Sequence, residues 1–485
     1  MENLVNWLND IIWSQALIFL CLGVGLFYSI ITRFLQVRHM KDIFKLMFKG
    51  QKSEAGISSF QALSLALSGR VGTGNIAGVA TAIAFGGPGA VFWMWMMAFL
   101  GAGSAFVESA LGQVYKVKKD GQFRGGPAYY IEKGLGIKWY AVLFAIVTVV
   151  ATGVLLPGVQ ANSIALSVEN AFGINPAITG IIIVTLLAVI IFGGVKRIAR
   201  VAEFVVPFMA LGYIVVALII TFMNISEIPG VLKLIFSSAF GADAAFGGIL
   251  GSAITWGVKR GVYSNEAGQG TGPHAAAAAE VSHPAKQGIV QAFSVYVDTL
   301  LVCSATAFMI LITGMYNVAP EGKPVIVNNL GDMQPGPGYT QAAVESVFHG
   351  FGAPFVAVSL FFFAFTTIMA YYYMAETNLS YINGQKRRIW TEYVLKVVIC
   401  GMVFYGSVKT ASLAWGLGDV GVGSMAWLNI IAILLLTKPA LKVLRDYESQ
   451  LKAGKDPVFD PVKLGIQDAD FWEKEYNPLE SEKTG

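Results

Sequence analysis

The sequence predicts an all-α integral membrane protein with about eleven transmembrane helices. Three observations carry that prediction. Only 13% of the 485 residues are Asp, Glu, Lys or Arg, against roughly 25% in soluble domains. Mean hydropathy is +0.61. Uncharged runs long enough to cross a bilayer recur from residue 11 to residue 437. A soluble chain of this length would form about three domains, but the runs leave no room for one, so a single membrane domain is expected.

The clearest spans lie between charges at Asp10 and Arg33, Lys138 and Glu169, Glu169 and Lys196, Glu203 and Glu227, and Glu345 and Glu376. Val71 to Val107 is uncharged but too long for one span, and Gly86-Gly-Pro-Gly divides it. Further spans are expected near 57–82, 89–112, 246–279, 288–314, 389–408 and 411–437. Basic residues follow the odd-numbered spans: Arg33, Arg38, Lys41, Lys45 and Lys49; Lys116, Lys118, Lys119 and Arg124; Lys196, Arg197 and Arg200; Lys286; Lys386, Arg387 and Arg388; Lys438, Lys442 and Arg445. Because basic loops resist translocation, the expected placement is the inner membrane, multi-pass, with the N-terminus outside and the C-terminus cytoplasmic. The opening Met1 to Asp10 has no Lys or Arg, unlike the start of a cleaved signal peptide, so the first helix is expected to stay. The expected organisation is 1–56, an N-terminal helix and basic loop; 57–222 and 223–437, two five-helix repeats; and 438–485, a polar tail, acidic at Glu480 and Glu482, that is cytoplasmic or disordered.

Two spans break the rule that a membrane helix is continuous and apolar. In the second, Ser68-Gly-Arg-Val-Gly-Thr-Gly-Asn puts glycines, Arg70 and Asn75 near the bilayer centre. Unwound backbone survives there only where it lines a protein cavity or binds something. The seventh span is read as interrupted over Gly251, Thr255, Trp256 and Gly257 to Gly261. Without the first helix, the interrupted spans take matching places in two five-helix halves, the pattern of an inverted repeat. A half-helix N-terminus offers N–H groups to a carboxylate, while unwound carbonyls coordinate a cation. The hydroxyls of Thr366 and Thr367, again near the midplane, suit a hard cation such as sodium.

Each feature also has a plainer reading. Gly74-xxx-Gly78 is a possible helix-packing motif. Arg70 is either functional or paired with a carboxylate such as Glu108 or Glu266. Threonine hydroxyls commonly bond back to the preceding turn. Trp256 is either a pocket wall or a packing residue, and Gln160, after Pro157, either a pocket donor or an interhelical bond. Other classes are excluded more firmly. Cys21, Cys303 and Cys400 lie in apolar runs and imply buried thiols without disulfides. His39, His274, His283 and His349 lack zinc spacing, and no dinucleotide or phosphate-loop motif is present. No nucleophile and base pair is legible, so an enzyme is not expected. A net charge of +4 without a basic cluster away from the membrane gives nucleic acid no footing. No cofactor is expected beyond a co-transported ion.

The run Ser68-Gly-Arg-Val-Gly-Thr-Gly-Asn-Ile-Ala-Gly-Val-Ala, the Gly86-Gly-Pro-Gly-Ala turn, Phe123-Arg-Gly-Gly-Pro-Ala-Tyr-Tyr and Gly261-Val-Tyr-Ser-Asn-Glu-Ala-Gly-Gln-Gly resemble the alanine or glycine:cation symporter family of bacteria and archaea, from about Asn6 to Ala440. The resemblance implies the amino acid-polyamine-organocation fold: a leucine-transporter-like core of five plus five helices behind one extra N-terminal helix. It implies a sodium-coupled symporter importing alanine, glycine, serine or glutamine by alternating access. Thr73 and Gly74 would hold the substrate carboxylate, with Gln160, Thr255 and Trp256 around the side chain and Arg70 and Asn75 beside them. Sodium would sit between carbonyls near Ser68 and Val71 and the hydroxyls of Thr366 and Thr367. The competing expectations are proton coupling through Asp298, Glu266 or Glu108, and a passive channel.

Overall fold

The computed structural model describes residues 2–48, 56–193 and 195–476; Lys49, Glu480 and Glu482 of the sequence reading lie outside them. The principal helices are α1 (Glu2–Ile12), α2 (Gln15–Ile31), α3 (Ser59–Arg70), α4 (Val79–Gly86), α5 (Gly89–Val114), α6 (Lys138–Phe172), α7 (Pro176–Ile191), α8 (Val195–Met223), α9 (Leu250–Asn265), α10 (Gly272–Ala278), α11 (Pro284–Thr313), α12 (Gly352–Ile382), α13 (Ile389–Val408), α14 (Ala411–Leu435) and α15 (Thr437–Lys452). A short hairpin, β1 (Val117–Lys119) and β2 (Gln122–Arg124), follows α5. Among the described residues seven helices are long and apolar enough to cross a membrane, and the α1–α2 pair, bent by 44°, makes an eighth.

Burial sorts these helices into core and periphery. α5 is buried along most of its length and packs on α2, α9, α10 and α11. Its small residues Gly101, Ala102, Gly103, Ser104 and Ala105 let neighbouring backbones approach. α6 packs on α12 and α13. α8 instead exposes Phe204, Phe208, Leu211 and Phe222, the apolar surface expected of a lipid-facing helix. α6 and α13 cross at paired glycines: a Cβ on Gly406 would stand 2.3 Å from the Gly158 backbone. Only backbone could yield there, so Gly406→Ala is expected to lower the thermal unfolding midpoint by ~5 °C or more. Gly401→Ala, on the same helix with nothing within 4 Å of its Cβ position, should leave the midpoint unchanged.

Several details differ from the sequence reading. Lys196, Arg197 and Arg200 lie on the first turns of α8 instead of in a loop. Arg197 donates to the Val189 carbonyl at 2.8 Å, satisfying the end of α7 and letting α8 start early. Cys400 is half-buried, and all three cysteines are free. Residues 453–476 pack against the bundle, with Phe459, Phe471 and Trp472 buried.

The seventh span breaks later than its glycines suggested. α9 runs unbroken through Thr255, Trp256, Gly257 and Gly261. Gly257 and Gly261 are packing positions, where a Cβ would meet Ala90 at 2.5 Å and Met97 at 3.0 Å. The chain leaves the helix at Glu266, with φ +57°, and Gly268 and Gly270 follow at +79° and +88°, backbone that a helix interior cannot accommodate.

Candidate functional site

Two interrupted helices meet at the centre of the bundle. α3 ends at Arg70, the chain bends at Val71 and Gly72, and a widened helical turn over Gly74–Gly78 leads into α4. One side chain of the following turn and one from a distant helix meet the amides freed by this bend. The Gly72 N–H donates to Asn75 Oδ1 at 2.8 Å, and the Thr73 N–H donates to Gln160 Oε1 at 3.0 Å. Gln160 reaches the break because α6 itself widens over Ala151–Leu155 ahead of Pro157. The Thr73 hydroxyl is fully buried and has no partner.

On the other side of the bend lies Thr367 of α12. Its hydroxyl is 2.8 Å from the Ser68 carbonyl, 3.5 Å from that of Val71 and 3.0 Å from that of Phe363. One hydroxyl proton serves only one carbonyl at a time, so this knot of neutral oxygens has lone pairs to spare. Thr366 faces elsewhere. It bonds back to Phe362 and Phe363 and touches Met209 of α8, because consecutive helical residues point about 100° apart.

The second break is held by a carboxylate from α5. Glu108 accepts from the Gly268 and Gly270 N–H groups at 3.3 and 3.1 Å and from Asn429 of α14 at 2.7 Å. Asn429 also donates to the Gly268 carbonyl at 2.9 Å and accepts from Tyr130. Hydrogen bonds of this kind satisfy backbone groups that unwinding leaves without helical partners. Glu266 accepts from Thr271 at 2.8 Å.

The breaks touch each other. A Cβ on Gly74 would stand 3.0 Å from Ser264 Cα. Asp298 of α11 bridges them: its Oδ1 accepts from Asn75 at 2.6 Å and Ser264 at 3.1 Å, and its Oδ2 from Thr299 at 2.7 Å. Ser264 is not among the sequence-predicted site residues, although the motif Gly261-Val-Tyr-Ser-Asn-Glu carries the local signal, a polar cluster shortly before a glycine pair; Asp298 enters the sequence reading only as a candidate proton carrier.

The structure therefore brings together Ser68, Val71, Thr73, Gly74, Asn75, Gln160 and Thr367. Besides Thr366, three candidates lie apart. Trp256 is about 15 Å up α9 from Glu266, its ring tilted by 31° against that of Phe85 with centroids 4.7 Å apart. Thr255 adjoins it, half-buried. Their layer is closed by Arg260, which pairs with Asp419 of α14 at 2.7 Å and lies 5.0 Å from the Trp256 ring and 4.3 Å from that of Trp415. Arg70 points away from the bend to α11, donating to Ser294 and to the Gln291 carbonyl at 3.2 Å. It forms no ion pair with Glu108 or Glu266, which are engaged with the second break.

A family description, the sodium:alanine symporter family, matches residues 1–461. The chain belongs to that family. Among relatives of this symporter-family chain, YrbD of Bacillus subtilis, whose name includes the words sodium/proton-dependent alanine carrier protein, is 67% identical over 98% of both chains. The sodium/proton-dependent alanine carrier protein of Bacillus sp. PS3 is 56% identical over 90% of this chain and 99% of its own. AlsT of B. subtilis, an amino-acid carrier protein, is 42% identical over 98% of each. A crystal structure of a manganese transporter from Eremococcus coleocola aligns with a TM-score of 0.56 and 12% identity over 92% of this chain and 94% of that one. That likeness concerns the fold alone.

Proposed function

We propose that this chain is a sodium-coupled symporter for a small neutral amino acid, alanine first, working by alternating access. The observation that carries the reading is the Thr367 hydroxyl, 2.8 Å from the Ser68 carbonyl and 3.5 Å from that of Val71. These groups offer neutral oxygen ligands where a helix is broken, the setting in which transporters hold a hard monovalent cation. Directly beyond it, the buried Thr73 hydroxyl and the N-terminal end of the helix leading through Gly74 suit a carboxylate. The contact of Gly74 with Ser264 favours a small side chain. Gln160 orients the Thr73 amide, while Thr255 and Trp256 close the layer above. Arg70 acts on the opposite side of the bend, against α11. The names of YrbD and of the Bacillus sp. PS3 relative pair alanine with sodium/proton dependence.

In this reading the bent α1–α2 pair, the broken pairs α3–α4 and α9–α10, the shorter α7 and the seven long helices make eleven spans. The two halves, 57–222 and 223–437, form the inverted repeat. The N-terminus lies outside the inner membrane, and the end carrying α15 lies in the cytoplasm. Because each ligand must raise the affinity of the other by the same factor, calorimetric titration of the purified protein with alanine should show ~5-fold or greater tightening in sodium over potassium. Equal affinity in the two salts contradicts the proposal.

A second reading, with a proton accompanying or replacing sodium, is favoured by Asp298 alone among the buried carboxylates, since it touches both breaks at once. Asp298→Asn keeps the size of the side chain and removes its titration. The expected outcome is uptake that no longer responds to external pH between 5.5 and 8 and still responds to sodium. An unchanged pH profile removes Asp298 from the coupling.

A further inference from the structure

The two half-helices that enter the breaks from the α15 end of the bundle, α3 and α10, are zipped to each other there. The Ile57 N–H donates to the Ala278 carbonyl at 3.0 Å, and the Glu280 N–H donates back to Ile57 at 2.9 Å. Opening the central site toward this end requires these half-helices, with the 279–283 connection, to leave α5. Gln113 of α5 donates to the Ala276 carbonyl and, at 3.0 Å, to that of Ala279.

Over this closure lies the C-terminal segment. The Phe459 N–H donates to the Ser282 carbonyl at 2.9 Å, the Ser282 hydroxyl donates to the Pro457 carbonyl at 2.8 Å, and Asp456 pairs with Lys286 at 2.7 Å. The Phe459 ring stands edge-on to His283 at 5.6 Å. Ten residues and more further on, the segment grips the end of α5 and the stretch before α6: Trp472 Nε1 donates to the Gln113 carbonyl at 2.9 Å, and Asp470 pairs with Lys133. At the centre, the ammonium of Lys116 is fully buried, 4.3, 4.6 and 5.1 Å from the rings of Phe123, Phe471 and Trp472. It donates to the Ala279 carbonyl at 3.0 Å. Such cation–π contacts gain strength once desolvated. Lys116 thus joins the end of α5, the tail and the connection that has to move.

We infer that residues 456–472 are a latch that holds the central site shut on the α15 side, and that release of Trp472 and Phe471 from Lys116 accompanies opening there. The inference rests on the alternating-access reading for its role, but the latch itself is testable without substrate or sodium. The experiment starts from a full-length protein with Cys21, Cys303 and Cys400 replaced by Ala and the reporter Ala278→Cys, a position 5% exposed at the inner end of α10. Labelling by a membrane-impermeant maleimide is timed in inside-out vesicles. Adding Trp472→Ala is expected to raise the labelling rate ~5-fold or more by shifting the population toward the open form. Lys474→Ala, whose side chain is exposed and pairs with Asp470, should leave it unchanged. To avoid a variant that misfolds, a second protein carries a protease site inserted after the exposed Gly454 and is cut only after folding and insertion. Labelling that rises in either protein supports the latch, and labelling that stays at the parent rate in both overturns it. Alanine uptake by vesicles carrying the unaltered protein separates the two ideas: absent uptake there, with raised labelling in the latch variants, sinks the transport reading and leaves the latch standing.

Discussion

Gly72→Ala is expected to abolish sodium-driven alanine uptake while leaving a folded, membrane-inserted protein. A Cβ at this position would stand 2.4 Å from the Thr367 hydroxyl oxygen, 3.2 Å from Thr367 Cβ and 3.0 Å from Gln160 Oε1. Neither neighbour can yield without cost. Thr367 is β-branched on a buried helix with one favoured rotamer set, and Gln160 is tied to the Thr73 amide at 3.0 Å. The added methyl would wedge α12 away from the bend and separate the oxygens assigned to the cation from the amides assigned to the carboxylate. Overpacking of this size costs ~1–3 kcal/mol of stability, which a large helical bundle tolerates. Displacing binding groups by about 1 Å can cost ~100-fold in rate. Uptake into proteoliposomes, read beside a thermal melt, checks this: near-normal uptake means that the bend is not the site. A second change sharpens the test. Thr367→Ala removes the atom nearest the added methyl, so the double variant should recover part of the lost melting temperature and none of the sodium dependence, a non-additivity expected of groups in contact.

Thr367→Ala alone should weaken sodium activation ~10-fold to 100-fold, because a polar contact to a charge is worth about 1.5–3 kcal/mol. Maximal uptake at saturating sodium should fall far less. Thr366→Ala should do neither, since that hydroxyl satisfies only its own helix and approaches Met209. Thr367→Ser, which keeps the oxygen, should restore sodium activation. The measurement is the sodium concentration for half-maximal alanine uptake in the four proteins. A Thr366→Ala effect equal to that of Thr367→Ala contradicts the geometry on which the cation assignment stands.

The membrane character of the chain and the first break were legible in the sequence for a physical reason: bilayer-spanning helices tolerate few charges, and packing alone does not account for Arg70 and Asn75 beside three glycines. The second break was harder to place. Gly251, Gly257 and Gly261 carry the same letter as Gly268 and Gly270, but the first group lies in a continuous helix, where Gly257 and Gly261 pack closely, and the second adopts positive φ. Glycine composition does not separate close packing from unwinding. What separates them is a buried acceptor able to satisfy the freed amides, and Glu108, distant in sequence, became visible as that acceptor only when α5 was set beside α9. Thr366 and Thr367 were equivalent as letters for a similar reason. Helical phase relative to the bend chooses between them, and the sequence does not state that phase. The tail's polar composition concealed the aromatic residues Phe459, Phe471 and Trp472, which form its packing face.

The account turns on a cation and an amino acid moving together, so the most direct measurement is uptake of radiolabelled alanine by proteoliposomes of the purified protein, under an inward sodium gradient at equal pH on both sides. Accumulation above the external alanine concentration, abolished when potassium replaces sodium, is the predicted result. Accumulation that follows an imposed proton gradient and ignores sodium, or mere equilibration without accumulation, would contradict it.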